Sequence, residues 1–128
     1  MGHIQTVLWV GAGGAIGAMA RFLVGRLMLQ AMGPGYPWGT LVVNVVGSLL
    51  MGVLVALFAF KMSPSQNLQA ALTVGLLGGF TTFSAFSLET ALMIERHEWM
   101  GAVSYALVSV VLCVAGLFAG MALVRSLS

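Results

Sequence analysis

Charge is what this chain of 128 residues has least of. Three acidic and five basic side chains make up its 6% of charged residues, where soluble domains carry about 25%, so no water-soluble fold could be surfaced with this sequence. The single cysteine, Cys113, excludes a disulfide framework and a thiolate metal site. No nucleophile, base and acid fall into a plausible cluster, so the chain is not expected to be an enzyme. No nucleic-acid partner is expected of it either. The first apolar stretch lacks the basic lead-in and the clear stop of a signal peptide, and is expected to be retained.

What the chain has is apolar length. Hydrophobic residues make up 60% of it and its mean hydropathy is +1.07. Four apolar segments emerge, at 4–32, 38–60, 68–94 and 99–124. Each exceeds the roughly 20 residues that cross a bilayer core. The breaks hold the turn formers and most of the charges: Gly33-Pro34-Gly35-Tyr36-Pro37, then 61–67 with Ser63-Pro64-Ser65, then Glu95-Arg96-His97-Glu98. The predicted architecture is an all-α, multi-pass integral membrane protein, a single transmembrane domain over 1–128 whose short connections force neighbouring helices to run antiparallel. Bilayer lipid is its immediate partner.

Within this background, residues 78–89 stand out: Gly-Gly-Phe-Thr-Thr-Phe-Ser-Ala-Phe-Ser-Leu-Glu. Glycines, hydroxyls and phenylalanines make a poor lipid-facing helix. A Gly78-Gly79 interruption at membrane depth survives only where protein or a polar cavity receives the freed carbonyls. The segment therefore predicts a broken third helix and points to transport. Gly11, Gly13, Gly14 and Gly17 superficially suggest a dinucleotide loop, but Ala12 interrupts the pattern and no strand precedes it. Gly13 with Gly17, and Gly116 with Gly120, read instead as small-residue helix contacts.

Thr40, Asn44 and Ser48 recur every four residues in the second segment and so share one helix face. Tyr105, Ser109 and Cys113 repeat the device in the fourth, while Thr81, Ser84 and Ser87 lie beside Phe80, Phe83 and Phe86 in the third. Any one hydroxyl is explained by interhelical hydrogen bonding at about 0.6 kcal/mol, but stripes on three helices favour a polar track. Its groups are hydroxyl, amide and aromatic. Asn, Ser, Thr and Tyr donate hydrogen bonds to an anion, phenylalanine edges carry partial positive charge, and Arg21 would supply attraction at an entrance. Glu89 is the one acid within a span, near a helix end where it is readily solvated. A passive anion path is the chemical reading.

Lys61 and Arg125 fall on the side of the N-terminus and Arg26 and Arg96 on the other, so the charge bias that orients membrane proteins is nearly absent. Such a chain can insert both ways up and pair as an antiparallel dimer. Charge alone is equally compatible with one orientation.

The chain resembles the Fluc, or CrcB, family of fluoride channels. The resemblance lies in Gly13-Gly14-Ala15-Ile16-Gly17-Ala18 with Arg21-Phe22, in Gly39-Thr40-Leu41-Val42-Val43-Asn44 with Gly47 and Gly52, and in 75–89. It implies passive fluoride export by a dual-topology antiparallel homodimer in the bacterial plasma membrane. Phe83 and Phe86 match the family's pore phenylalanines, Asn44 its pore amide, and Tyr105 and Ser109 its polar track; Thr40 and Ser84 join the expected pore lining. A central structural sodium ion (Na+), held by main-chain carbonyls of both subunits, maps to Gly78 and Thr81. Two-fold meeting of helix breaks would itself give a hard cation oxygen ligands. Ala85 departs from the family's frequent Thr, and Cys113 stands where a small hydroxyl would complete the track. The rival readings are a small dual-topology drug or cation exporter, which would need an acid in the first helix, and a non-transporting assembly subunit.

Overall fold

Thirty-one residues without an acid or an internal proline form the first helix, α1 (Gly2–Met32). It stops at Gly33, whose φ of +81° is a left-handed conformation open to glycine, with its N–H closing on the Leu29 carbonyl at 2.9 Å. The computed structural model describes residues 2–127, and all regular structure among them is helical. Pro37 precedes α2 (Trp38–Phe60). The second connection ends at Ser65, whose hydroxyl accepts the Leu68 N–H and caps α3 (Gln66–Ala70). A π-helical stretch, Ala71–Leu77, runs into the single turn α4 (Gly78–Phe80). Thr81 and Thr82 are extended, with ψ of 160° and 122°, and α5 (Phe83–Glu95) follows. A short turn leads to α6 (Trp99–Ser126).

Among the described residues, four helical spans are long and apolar enough to cross a membrane: α1, α2, the segment Gln66–Glu95, and α6. Their outward side chains are those a bilayer would solvate, among them Ile4, Leu8, Leu23, Val111 and Phe118, all largely exposed. The interior is thin by comparison. Leu41, Met93, Ala102 and Tyr105 form its main cluster.

Because apolar burial drives little association inside lipid, the helices need close backbone approach. Two glycine seams supply it. Along α1, a methyl group on Gly13 or Gly17 would collide with the carbonyls of Ala71 or Leu76, and one on Gly79 would come within 2.6 Å of the Gly14 carbonyl. Along α6, Gly120 lies on the Leu49 carbonyl and Gly52 of α2 lies on the Leu117 carbonyl. The first seam joins α1 to the third span, the second joins α2 to α6, and these are the two most extensive helix pairings of the bundle. Gly116, paired with Gly120 in the sequence reading, is looser, with 3.6 Å of room to the Val45 carbonyl.

Gly78 and Gly79, at which the sequence places an interruption, are helical themselves. Gly79 is used for contact with α1, and the backbone leaves helical geometry two residues after it.

Candidate polar path

An extended residue points its N–H and C=O sideways, where no helical neighbour can reach them. At Thr82 a primary amide takes both. Asn44 accepts the Thr82 N–H at Oδ1 (2.8 Å) and donates from Nδ2 to the Thr82 carbonyl (3.0 Å). The Thr82 hydroxyl accepts the Ala85 N–H at 3.1 Å, capping α5, and lies 3.2 Å from the Ser84 hydroxyl. On the other side, Arg21 Nε donates to the Gly79 carbonyl at 3.0 Å, placing a cation at the C-terminal end of a helical segment, where the backbone dipole favours it. Thr81 folds its hydroxyl back onto the Leu77 carbonyl at 2.9 Å, and its methyl occupies the notch left by Gly47.

These bonds have a by-product. In an unbroken helix the Thr82 N–H would close on the Gly78 carbonyl and the Ala85 N–H on the Thr81 carbonyl. Both donors are spent elsewhere, so both carbonyls lose their helical partners. Gly78 is also exposed at the surface of the chain.

Beside this junction lies a cavity of about 400 Å³ whose lining includes Asn44, Ser48, Phe83, Phe86, Ser109 and Cys113. The Ser109 hydroxyl is buried and has no hydrogen-bond partner among the described residues. Leaving such a group unpaired costs about 1–3 kcal/mol. Phe83 and Phe86 stand with ring centroids 5.4 Å apart. Phe83 is 77% exposed, on an open face of the bundle.

From Phe86 the polar contacts continue inward. Its ring lies 5.0 Å from that of Tyr105, which is fully buried. The Tyr105 hydroxyl donates to Glu89 Oε1 at 2.8 Å, and the Thr40 hydroxyl donates to Glu89 Oε2 at 2.8 Å. Thus three helices meet on one carboxylate.

The structure gathers Asn44, Thr81, Phe83, Phe86 and Ser109 around one cavity and joins Thr40 to Tyr105 through Glu89. Ser84 is exposed and bonds only locally. Arg21 lines a separate groove with Arg26, Thr40, Thr82 and Ala85, and its Nε is committed to a carbonyl. Sequence reasoning missed Thr82, the residue that Asn44 holds, and the bridging role of Glu89. The available signal for Glu89 was its spacing of three from Phe86, which puts both on one face of α5.

A bundle of four apolar spans enclosing polar side chains defines a multi-pass integral membrane protein. The model of the family described as CrcB-like protein, Camphor Resistance (CrcB), matches residues 8–121, and the chain belongs to this family. Its relatives include the "Fluoride-specific ion channel FluC" of Rhizobium meliloti (strain 1021), 48% identical over 99% of both chains. Proteins of the same name in Phenylobacterium zucineum (strain HLK1) and Caulobacter vibrioides (strain NA1000 / CB15N) are 52% and 50% identical over 95% of this chain and 97% of their own.

Proposed function

We infer that this chain is a passive fluoride channel of the bacterial plasma membrane. The observation that carries the reading is the cavity lined by Asn44, Ser109, Phe83 and Phe86, where the Ser109 hydroxyl is buried and without a partner among the described residues. A small anion gives up strong hydration on entering a membrane and must meet donors in return. Ser109 offers an O–H, Asn44 retains one amide hydrogen beyond the one it gives to Thr82, and the phenylalanine edges offer positive potential without a competing acceptor. The names of the relatives supply the identity of the anion. Further along, both hydroxyls at Glu89 already donate to its carboxylate. An anion passes there when Tyr105 or Thr40 turns its O–H from the carboxylate to the ion. No reaction and no coupled ion are needed, so transport runs down the gradient.

Two copies complete the path. Phe83 and Gly78 are exposed on the isolated chain, within the third apolar span, beside the extended residues Thr81 and Thr82. An antiparallel, dual-topology homodimer would cover that face and put Phe83 between subunits. The interruption of the third span then serves the assembly as well as the path. The Gly78 and Thr81 carbonyls, deprived of their helical donors, suit a hard cation such as sodium, which accepts neutral oxygen ligands. Bound there, sodium would supply a structural tie between copies.

Fluoride efflux from liposomes holding the purified protein tests the function, with chloride as control. Rapid fluoride release with chloride retained is the expected result. Release of neither ion would favour an assembly subunit, and equal release of both would remove the selectivity.

A further inference from the structure

Past Glu89 a second, partly open cavity of about 320 Å³ lies between the connection 33–37 and the C-terminal end of α5. Thr40 and Glu89 form part of its wall, with Tyr36, Trp38 and Arg96. The two cavities share no lining residue. Side chains already described link them: Phe86 of the first touches Tyr105, and Tyr105 bonds to Glu89 of the second; the Arg21 groove also borders both, sharing Thr82 with the first and Thr40 with the second. Trp38 and Trp99, which open α2 and α6, are residues that settle at the membrane–water boundary. The second cavity therefore lies where a path through the protein would meet water.

Taking the chain as an anion channel, the geometry points to this cavity as a mouth of the path, with Arg96 setting the local anion concentration there and Glu98 moderating it. The Glu89 carboxylate in the wall opposes an approaching anion. Arg96 is the cation of the same wall, and its attraction offsets that repulsion. Arg96 Nε lies 3.2 and 3.4 Å from the two carboxylate oxygens of Glu98, and the two side chains are 57% and 43% exposed. An exposed pair of this kind contributes little to folding, so its composition is free to serve electrostatics. The backbone sets where the two side chains leave the chain. His97 adopts a left-handed φ of 60°, its N–H closes on the Ile94 carbonyl at 3.0 Å, and the Glu98 N–H closes on the Met93 carbonyl at 2.8 Å. This is a helix-ending turn that places Arg96 and Glu98 on either side of one left-handed residue.

The test is fluoride efflux from liposomes carrying the full chain, its Arg96→Gln and Glu98→Gln variants, and Lys61→Gln, at low and high ionic strength. Lys61 follows α2 and lines neither cavity, and its replacement removes the same unit of charge. A unit charge several ångströms from the path changes local ion concentration by roughly two-fold in weakly screened water. Arg96→Gln should lower the initial rate by about that factor at low ionic strength, and Glu98→Gln should raise it comparably. Both should converge on the parent rate at high salt, where the screening length falls to about 3 Å, and Lys61→Gln should match the parent throughout. Unchanged rates in both mouth variants at low ionic strength would overturn the assignment, as would a Lys61→Gln effect equal to that of Arg96→Gln. A parent protein that carries no fluoride would instead remove the channel reading on which the mouth rests.

Discussion

Asn44 holds an extended residue by both of its backbone groups, and its loss would leave an N–H and a carbonyl unpaired at membrane depth. At about 1–3 kcal/mol for each such group, Asn44→Leu should abolish fluoride flux and lower the thermal stability of the protein in detergent. Unimpaired flux in that variant would exclude Asn44 from the path. The phenylalanines differ in their surroundings: Phe86 packs on Tyr105, whereas Phe83 is exposed on the isolated chain. Replacing either by isoleucine keeps the bulk and removes the polarised ring edge, so flux should fall at least about tenfold, near 1.4 kcal/mol, while folding persists. Tyr105→Phe removes one donor to Glu89 and should have a smaller effect. Part of this site was legible in the sequence because a spacing of four places Thr40, Asn44 and Ser48 on one face before any fold is known. Glu89 was not legible as a junction. Its partner Thr40 lies 49 residues away in the chain, and only the packing of α2 against α5 and α6 brings them together.

At the level of elements, the fold rests on two glycine seams, and the positions differ sharply in what they would tolerate. Gly17 faces the Leu76 carbonyl with no room for a side chain, whereas Gly11 on the same helix has open space at its Cβ position. Gly17→Val should destabilise the bundle by about 1–3 kcal/mol or more, as forced overpacking does, and Gly11→Val should be close to neutral. Thermal unfolding of the two variants in detergent measures the difference, and equal stability would count against the seam. The four spans were readable from hydropathy alone, since length and apolar composition decide what a bilayer accepts. Where the third span leaves helical geometry was not. Glycine is the residue that most readily permits a break, yet Gly79 is needed for contact with Gly14. The extended conformation falls at Thr81 and Thr82 instead, because Asn44 on another helix supplies the missing hydrogen-bond partners.

As a whole, the molecule leaves an open face at Phe83 and a nearly balanced distribution of cations at its two ends. An antiparallel pair of such chains predicts that a cysteine added at the C-terminus, in a Cys113→Ser background, is labelled from both sides of the membrane. Labelling from one side alone would contradict dual topology. If sodium ties the copies through the Gly78 and Thr81 carbonyls, replacing it with a large organic cation should lower dimer stability without making flux depend on a sodium gradient. The central claim, passive and selective fluoride conduction, is tested most directly by current across a planar bilayer containing the purified protein. With opposed fluoride and chloride gradients and varied sodium, the reversal potential should follow the fluoride equilibrium potential and ignore the other two ions. A reversal potential that tracks chloride or sodium, or the absence of any fluoride current, would contradict it.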